Sequence, residues 1–475
     1  MNVLFATSEA YPLIKTGGLA DVSASLPRAL LELKHDVRLL LPFYGSIRAQ
    51  NPDTRLLAST QHYGHKINLL ETRLPGTRVK VLLVDCPAAF AREGNPYLDA
   101  DGVPWSDNAF RFMLFCQVAV DIALNRLGLD WPVDLVHCND WQSAMVPALL
   151  QRFVERPATV FTIHNLAYQG VFHWQTYFNL GLPHEHWSTD GVEFHNQFSF
   201  MKGALNFADV INTVSVQYAR EIQTEPFGCG LHGLLQKHSD RLSGIQNGID
   251  TEVWNPGSDD LISSKYTIKS LDHKALNKSA LQQELGLDGD PSLMLMGMVT
   301  RLVSQKGLDL LLDCQQEILQ LPVQLVVLGS GDAIYEQELE QFAAANPQRV
   351  AFFKGYDEAL SHRIEAGSDL YLMPSKFEPC GLNQLYSLRY GTLPLVTPVG
   401  GLIDAVTDAA QENADGFVMS EISASGLMES IRQALQVYQN PQHWKKLQIT
   451  AMDQDHSWKH SALDYVELYR TALER

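Results

Sequence analysis

The sequence predicts an α/β fold made of two doubly wound domains that face each other across a deep cleft. Short apolar runs of strand length alternate with amphipathic stretches of helical spacing, which is typical of parallel sheets covered by helices. A turn-forming segment near residue 250 interrupts this alternation, which then begins again. A chain of 475 residues is also too long for one hydrophobic core. We predict an N-terminal domain over residues 1–245, a C-terminal domain over 246–455, and a terminal helix over 456–475 that packs back on the first domain.

The composition is that of an ordinary globular protein, with 45% hydrophobic and 19% charged residues. The net charge of −18 argues against nucleic acid or an anionic membrane as the main partner. Six cysteines are scattered without a C-x-x-C pair, which fits a reducing compartment and no zinc ribbon. The N-terminus lacks the basic region of a signal peptide, and no apolar run approaches the ~20 residues of a membrane helix. We expect a cytoplasmic protein.

The first predicted strand, residues 3–7, leads into the loop SEAYPLIKTGG and then into a helix with leucines at helical spacing. Pro27 lies within that helix and is expected to bend it. Gly17 and Gly18 at the helix start would let backbone approach a diphosphate, and Lys15 would supply a cation. The segment is not a G-x-G-x-x-G fingerprint. Taken alone, this pattern is weak, and a surface lysine in a turn is the more common case.

Further strands are predicted at 37–41, 79–84, 134–137, 159–164 and 209–214. Two of them end in polar segments, HCNDWQ at 137–142 and TIHNLAYQG at 162–170. Asp140 beside Trp141 would make a floor for a sugar ring, since an indole face packs on C–H groups and a carboxylate holds hydroxyls. His164 and Asn165 would hydrogen-bond a hexose. For His164 alone, a satisfied core histidine is the alternative interpretation.

The second half begins with a turn at 246–254, followed by a stretch over 255–289 that we expect to be polar and irregular. Strands are predicted at 293–299, 323–328, 350–354, 369–373 and 395–397. Arg301 and Lys306 lie between a strand end and a helix start, which suits an anion clamp.

The strand at 369–373 is followed by a loop that carries Glu378 and by a helix that we expect Gly381 to open. In an open α/β sheet, ligands bind at such a place. Glu378 would accept hydrogen bonds from sugar hydroxyls, although an ordinary loop with a solvated glutamate is the alternative. We expect both Lys306 and Glu378 to be on exposed loops of the cleft.

Several longer motifs occur together in this order: KTGGLADV, HNLAYQG, QNGID, TRLVSQKG, FEPCGL, YGTLPLV and VGG. Their combination, from residue 3 to residues 457–458, resembles the glycogen and starch synthase family of retaining glycosyltransferases. The resemblance implies a GT-B fold with two Rossmann-like domains. It also implies transfer of glucose from ADP-glucose to the non-reducing end of an α-1,4-glucan such as glycogen, with release of ADP. Neither a metal ion nor a cofactor is implied.

The resemblance assigns roles to individual positions. The catalytic positions are His164, Arg301, Lys306 and Glu378. The positions that bind ADP-glucose are Lys15, Gly17, Gly18, Asp21, Asn247, Tyr356, Cys380, Gly381, Leu382 and Asn383. The positions that bind the acceptor are Glu9, Tyr97, Asp140, Trp141 and Asn165. Arg301 and Lys306 would neutralise the departing diphosphate, Tyr356 would lie against the adenine, and closure of the domains would complete the site.

Three departures from related patterns stand out. Tyr386 occupies the position of a second glutamate found in many retaining GT-B enzymes, a loss that the synthase family shares. Asn383 replaces a threonine near the diphosphate, and Asn139 and Gln142 replace histidines around the acceptor motif.

Three alternatives remain open from the sequence. UDP-glucose could replace ADP-glucose as donor, since base recognition would rest on backbone contacts. A nucleotide-sugar epimerase of similar architecture would not need the acceptor motif at Asp140 and Trp141. A non-catalytic glucan-binding relative would be indicated by loss of Lys15, Arg301, Lys306 or Glu378, and all four are present. A homo-oligomer is left open.

Overall fold

The computed structural model describes every residue from Met1 to Arg475, and the chain forms two compact units. The first unit comprises Met1–Asn247 together with Trp458–Arg475, and the second comprises Gly248–Ser457. The division therefore falls after Asn247, where the sequence placed it at 245. No helix in the structure combines the length and the apolar character that crossing a bilayer requires.

The first unit carries a nine-stranded main sheet and a small three-stranded sheet. Its strands are β1 (Asn2–Ala6), β2 (Asp36–Pro42), β3 (Arg55–His62), β4 (His65–Arg73), β5 (Lys80–Asp85), β6 (Leu135–Asn139), β7 (Ala158–Ile163), β8 (Val171–His173), β9 (Glu193–Phe194), β10 (Gln197–Ser199), β11 (Val210–Thr213) and β12 (Leu242–Gly244). Its first ten helices are α1 (Gly18–Glu32), α2 (Gly45–Ala49), α3 (Pro87–Phe90), α4 (Asn108–Ala123), α5 (Asp140–Ser143), α6 (Met145–Leu150), α7 (Trp174–Asn179), α8 (Phe200–Phe207), α9 (Val216–Glu221) and α10 (His232–Lys237). Helix α1 continues through Pro27.

Strand order in the main sheet is β12-β11-β7-β6-β1-β2-β5-β4-β3. All neighbours are parallel except β4, which pairs antiparallel with both β5 and β3. Strand β1 lies between β2 and β6, so the chain builds the sheet first to one side of β1 and then to the other. Ligands of open α/β sheets bind at such a reversal, beside the carboxyl ends of the two strands. The loops that follow β1 and β6 therefore flank the expected site.

Two β features of the first unit are not predicted from the sequence. The hairpin β3–β4 reads as mixed polar sequence because β3 is an edge strand whose side chains are largely exposed. The small antiparallel sheet β8-β10-β9 has strands of only two or three residues, too short to show a periodic pattern.

The terminal helix belongs to the first unit and packs against α1 and the main sheet. Tyr465 and Tyr469 on this helix, Trp458–Leu473, are fully buried. The hydroxyl of Tyr469 is 2.7 Å from Nδ1 of His137 on β6, and the hydroxyl of Tyr465 accepts a hydrogen bond from the Asn212 amide on β11. These buried polar contacts fix the helix on the edge of the unit's core.

The second unit has one six-stranded parallel sheet. Its strands are β13 (Met294–Val299), β14 (Val323–Gly329), β15 (Val350–Lys354), β16 (Leu370–Met373), β17 (Leu393–Val396) and β18 (Phe417–Val418). Its helices are α11 (Lys274–Glu284), α12 (Leu308–Asp313), α13 (Gln315–Ile318), α14 (Ala333–Ala345), α15 (Glu358–Gly367), α16 (Asn383–Tyr390), α17 (Gly400–Ala405), α18 (Ala424–Tyr438) and α19 (Pro441–Asp453). The terminal helix of the first unit is then α20 (Trp458–Leu473).

The strand order of this sheet, β15-β14-β13-β16-β17-β18, is the doubly wound order 3-2-1-4-5-6 in the unit's own numbering. Along β13, Met294, Met296 and Met298 enter one buried cluster, while Leu295 enters another on the opposite face. Both faces are covered by helices, which explains the uninterrupted apolar run. The order reverses between β13 and β16, so the loops after these two strands flank the ligand crevice.

The expectation that residues 255–289 are irregular is wrong for α11. This helix buries polar side chains, including Lys274, Asn277 and Lys278, so its sequence shows no apolar stripe. The Lys274 ammonium donates to the carbonyl oxygens of Glu365 and Ala366, at 3.2 and 2.8 Å. Burial lowers the pKa of Lys274 to about 7.

Candidate active site

The loop after β1 is organised around the carboxylate of Glu9, which is 3% exposed. This carboxylate accepts hydrogen bonds from the backbone N–H and hydroxyl of Thr16, from the N–H of Gly17 at 3.2 Å, and from the Tyr97 hydroxyl. The Tyr97 hydroxyl also contacts the hydroxyl of Ser8 at 2.8 Å. Glu9 and Tyr97 thus shape the loop that presents Lys15, whereas the sequence placed both at the acceptor.

Lys15, Gly17, Gly18 and Asp21 lie together at the start of α1. Gly17 is the N-cap residue, Gly18 begins the helix, and the Lys15 ammonium is 2.9 Å from the Asp21 carboxylate in the first turn. About a third of the Lys15 side chain is exposed. A Cβ built on Gly17 would meet no atom within 4 Å, so the backbone there is open to a ligand.

The loops after β6 and β7 meet at Asp140. Its carboxylate accepts from the backbone N–H groups of His164 at 2.8 Å and Asn165 at 3.4 Å. Burial nevertheless raises the pKa of Asp140 to about 7. Asp140 also has a φ of 53°, a left-handed conformation that aspartate adopts more readily than most other residues.

The imidazole of His164 is held by Asn139, the last residue of β6. The Asn139 amide nitrogen donates to the Ala6 carbonyl at 3.1 Å, which turns its oxygen toward Nε2 of His164 at 2.9 Å. Nε2 therefore carries the proton, and Nδ1 remains an acceptor. Burial lowers the pKa of His164 to about 3, so the ring is neutral at physiological pH.

The prediction of Trp141 as an open floor for a sugar ring is wrong. Its side chain is 9% exposed, and its rings contact those of Phe112, Phe172 and Phe200 at centroid distances of 4.9, 5.7 and 5.7 Å. The indole is a core residue that anchors the start of α5, and Asp140 next to it stays partly accessible.

In the second unit, the loop after β13 carries both predicted cations. Arg301 is exposed, and its guanidinium makes no hydrogen bond or ion pair. Lys306 ends a 3₁₀ helix, Ser304–Lys306, and its ammonium is hydrogen-bonded to the Glu378 carboxylate. Gly307 follows with a φ of 72°, and a Cβ there would lie 2.0 Å from the Pro374 carbonyl oxygen. Only glycine lets the two loops approach this closely.

The expectation that Glu378 and Lys306 are exposed is wrong. Glu378 is 6% exposed, and its Oε2 accepts from Lys306 and from the Ser375 hydroxyl at 3.3 Å. The loop is buried because it is bonded to its neighbours: the Lys376 N–H donates to the Gln305 carbonyl at 2.8 Å. The Gly401 N–H likewise donates to the Glu378 carbonyl at 3.1 Å. The Oε1 atom of Glu378 makes no hydrogen bond.

Helix α16 begins at Asn383, two residues after the predicted Gly381, which adopts a φ of 71°. Leu382 is the N-cap residue, and Cys380 before it is 5% exposed. The Asn383 amide donates to the Val299 carbonyl and to the Tyr371 hydroxyl, both at 2.7 Å. The Asn383 side chain therefore ties the start of α16 to the end of β13.

Two predicted donor residues lie apart from these loops. Tyr356, just after β15, is 68% exposed, an open aromatic face. Asn247, the last residue of the first unit before the chain crosses over, is buried, and its side-chain oxygen has no hydrogen-bond partner.

The structure also shows supporting residues that were not predicted, namely Ser375, Gln305 and Tyr371. All three lie in or beside the loops that follow β13 and β16. This position after a predicted strand is the only feature of the sequence that could have indicated them. No group of three or more His, Cys, Asp or Glu side chains is arranged to hold a metal ion.

Residues 2–237 match the family profile of the starch synthase catalytic domain, and residues 277–448 match that of glycosyl transferases group 1. The protein has two doubly wound units, and the loop that carries Arg301 and Lys306 lies where the strand order of the second unit reverses. It is a glycosyltransferase of the GT-B fold, as predicted. It is 52% identical to glycogen synthase 1 of Methylococcus capsulatus, over 100% of this chain and 97% of that protein. It is 53% identical to the glycogen synthase of Cellvibrio japonicus, over 98% of each. The chain belongs to the glycogen synthase family, which confirms the resemblance.

Solved structures agree with this assignment. The catalytic domain of starch synthase IV from Arabidopsis thaliana, bound to ADP and acarbose, superposes with a TM-score of 0.89 at 32% identity, covering 100% of this chain and 99% of that one. A sucrose-phosphate synthase from Thermosynechococcus elongatus, at a TM-score of 0.60 and 16% identity over 100% and 99% of the two chains, shares the fold.

Proposed function

We propose that this enzyme transfers glucose from ADP-glucose to the non-reducing end of an α-1,4-glucan, with retention of configuration and release of ADP. The observation that carries the proposal is the pair of loops after β13 and β16, the strands between which the sheet order of the second unit reverses. They bring the Lys306 ammonium and the Glu378 carboxylate into contact and leave Arg301 without a partner. A diphosphate and a sugar need this combination of cations and a carboxylate.

Arg301 and Lys306 would bind the diphosphate and stabilise the charge that grows on it as the glycosidic bond breaks. The guanidinium of Arg301 has no hydrogen-bond or ion-pair partner, so a diphosphate can bind it without displacing another group. Lys306 is held in one direction by Glu378, so its charge is preorganised. Fixed donors aimed at developing charge lower a barrier by about 3–4 kcal/mol each in measured cases.

Glu378 and His164 would hold the glucosyl group. Oε2 of Glu378 is already occupied by Lys306 and Ser375, which leaves Oε1 to accept from a sugar hydroxyl. His164 offers the unprotonated Nδ1 of a neutral imidazole. Neither group adds a positive charge beside an oxocarbenium-like sugar, whose formation a cation would oppose.

The remaining assignments follow the same chemistry. Lys15, with Gly17, Gly18 and Asp21, would contact the donor at the start of α1, while Tyr356 would stack on adenine. Asp140 and Asn165 would meet the acceptor. The ligands bound to the catalytic domain of the Arabidopsis thaliana starch synthase IV, ADP and acarbose, support a nucleotide with adenine and a glucan-like acceptor here. The names of the bacterial relatives support glycogen as that acceptor. The scattered cysteines support a cytoplasmic location.

The test is incorporation of labelled glucose into glycogen from ADP-glucose and from UDP-glucose in parallel, with a chelator present and with Glu378→Gln as the inactive control. Incorporation from ADP-glucose alone is the expected result. Preference for UDP-glucose would overturn the donor and the stacking role of Tyr356 but keep the reaction. Failure with both donors, while sugar nucleotide still binds, would overturn the reaction itself.

A further inference from the structure

Three buried rings of the second unit are stacked in parallel, and none of them has a part in the reaction proposed above. The indole of Trp254 lies 3.9 Å from the imidazole of His362 and 3.8 Å from the phenol ring of Tyr386, measured between ring centroids. The interplanar angles are 11° and 10°. Two rings cannot share one face of the indole at these distances, so the indole lies between the other two. We call these three residues the ring stack.

His362 gives the ring stack a positive charge. Its Nδ1 atom lies 2.8 Å from the carboxylate of Asp259, which also accepts from the Tyr390 hydroxyl at 2.6 Å, and its Nε2 atom lies 3.7 Å from the carboxylate of Glu358. Burial opposes the charge, but the two carboxylates raise the pKa of His362 from 6.5 to about 9. A cation over an indole face is attracted to the ring, and most strongly where water is excluded. The contact between His362 and Trp254 therefore holds the indole in place.

The backbone around Trp254 is fixed as well. The carboxylate of Asp250 accepts from the N–H groups of Glu252 and Val253, at 2.9 and 3.3 Å. The Trp254 N–H donates to the Asp250 carbonyl at 2.9 Å, which closes the turn. The indole is thus anchored by its own turn and by His362 on α15, so it can resist a movement of the third ring.

That third ring belongs to the helix whose start we assign to the sugar nucleotide. Tyr386 lies in the first turn of α16, and its N–H donates to the Leu382 carbonyl at 3.0 Å. Leu382 is the N-cap residue, and a leucine side chain cannot accept from the free N–H groups of the first turn. The start of α16 is therefore held by contacts with other elements. These contacts are the hydrogen bonds of the Asn383 amide and the place of the Tyr386 ring in the stack.

We propose that Trp254 is a positioning residue for the sugar nucleotide, because through Tyr386 it fixes the start of α16 and the loop 380–383. The inference rests on the proposed function, since this loop matters to the reaction only if the donor binds there. Trp254 itself does not touch the donor. Groups that bind a reactant must be in place beforehand, and a displacement of about 1 Å can cost about a hundredfold in rate. Loss of the indole should therefore weaken donor binding and leave the acceptor unaffected.

The experiment measures the KM for ADP-glucose and, by calorimetry, the affinity for ADP in the wild type and in Trp254→Leu. Leucine keeps an apolar side chain but offers no ring face, so both measures of donor binding should weaken by about tenfold. The kcat and the KM for glycogen should stay within about twofold of wild type, which a general loss of structure would not permit. Trp254→Phe places a flat ring between the two neighbours again and should bring ADP affinity back to within about threefold of wild type.

The matched control is Trp444→Leu. Trp444 is also a buried tryptophan of the second unit, stacked on Phe417 with centroids 6.0 Å apart, and it belongs to the cluster on the opposite face of the sheet. Both variants lose a buried indole, so their free energies of unfolding should fall by similar amounts. Only Trp254→Leu should bind ADP less tightly. Equal weakening of ADP binding in the two variants would overturn the proposal.

His362→Gln is a second variant, and it also serves if Trp254→Leu does not fold. It keeps the indole but removes the ring and the charge from one of its faces, so ADP affinity should fall by about threefold or more. Wild-type ADP affinity in either folded variant would overturn the positioning role. Absence of glucose transfer by the wild type, with ADP binding intact, would overturn the proposed function. The role of Trp254 would still be tested then, because ADP affinity is measured without turnover.

Discussion

The ammonium of Lys306 donates a hydrogen bond to the carboxylate of Glu378, and both side chains are largely buried, at 16% and 8% exposed. The two residues lie on the loops after β13 and β16, the neighbouring strands between which the sheet order reverses. The pair therefore links the phosphate-binding and sugar-binding tasks that we assign to these loops. A substitution of either residue therefore removes a hydrogen-bond partner from the other.

We predict that Lys306→Ala lowers kcat by about 100- to 1000-fold, because one preorganised cation is lost at the departing diphosphate. The same change leaves the Glu378 carboxylate with Ser375 as its one side-chain donor, so the free energy of unfolding should fall by about 2 kcal/mol. Steady-state kinetics with ADP-glucose and denaturant unfolding measure the two effects.

The matched control is Lys376→Ala, on the loop after β16 that also carries Glu378. Its ammonium contacts Ser304 and Asp309, at 2.9 and 2.6 Å, and does not contact Glu378. This control should keep kcat within about threefold of wild type, since exposed ion pairs contribute ~0–1 kcal/mol. If Lys306→Ala and Lys376→Ala proved equally active, the role of Lys306 at the diphosphate would be contradicted.

A second prediction concerns the loop that Glu9 organises. Glu9→Ala removes the acceptor of the Thr16 and Gly17 N–H groups and of the Tyr97 hydroxyl, so the loop that carries Lys15 should lose its fixed shape. We expect the KM for the sugar nucleotide to rise by about tenfold or more, with a smaller change in the KM for glucan. Tyr97→Phe removes one of these donors and should show a weaker effect of the same kind.

An acceptor role for Glu9 would give the opposite split, with the KM for glucan rising and that for the sugar nucleotide unchanged. Glu32→Ala, at the exposed end of α1, is the control for a general effect of removing a carboxylate from this region. It should leave both KM values as they are.

The sequence was sufficient to locate the loops in which we propose the site, because buried parallel strands read as apolar runs, and the polar residue after each run marks a carboxyl end. Arg301, Lys306 and Glu378 were selected in this way, and the structure places them on loops that follow β13 and β16. Their strand order was not visible, although it is what makes β13 and β16 neighbours. Pairing between strands distant in the chain leaves no local signal.

Burial of individual side chains was harder to predict than position. Trp141 and Glu378 were assigned to sugar binding from the chemistry of their side chains, and that chemistry does not report burial. Three phenylalanine rings cover the one, and the paired loops enclose the other. Helix α11 was missed for a related reason, since the side that it buries is polar, with Lys274 among its buried residues. The buried side chains of this helix are held by tertiary hydrogen bonds, so its sequence lacks the apolar stripe by which a helix is recognised.

A third prediction concerns Asn383, whose amide bridges the Val299 carbonyl and the Tyr371 hydroxyl. Asn383→Ala should lower the free energy of unfolding by about 1–2 kcal/mol, because two partly buried hydrogen bonds are lost. It should also raise the KM for the sugar nucleotide, since the start of α16 is no longer tied to β13. Thermal unfolding and donor titration test this.

Asn346→Ala is the control for that variant, because the Asn346 amide donates only to the Phe342 carbonyl one turn earlier. We expect it to change neither the KM nor, by more than about 1 kcal/mol, the stability. A normal KM in Asn383→Ala would show that the bridge is structural and does not position the donor.

The last prediction uses Glu365, a buried carboxyl whose hydrogen bond with the Ser387 hydroxyl is 2.8 Å long. Burial raises the pKa of Glu365 from 4.5 to about 8. Between these values the folded protein keeps a proton that the unfolded chain has released, so the free energy of unfolding falls as the pH rises. Glu365→Gln cannot ionise and keeps a side-chain oxygen that accepts from the Ser387 hydroxyl, so this variant should lose that part of the pH dependence.

The informative window is pH 5 to 6, where Lys274, whose lowered pKa is about 7, still holds its proton in both states. Across it, the stability of the wild type relative to Glu365→Gln should fall by about 1 kcal/mol, since one proton linked over one pH unit corresponds to about 1.4 kcal/mol. Other groups titrate alike in both proteins and cancel in the difference. Urea unfolding of both proteins at three pH values gives the slope. Parallel stability curves would mean that Glu365 is ionised in the folded state, and its charge would then have to be balanced by the nearby Lys274.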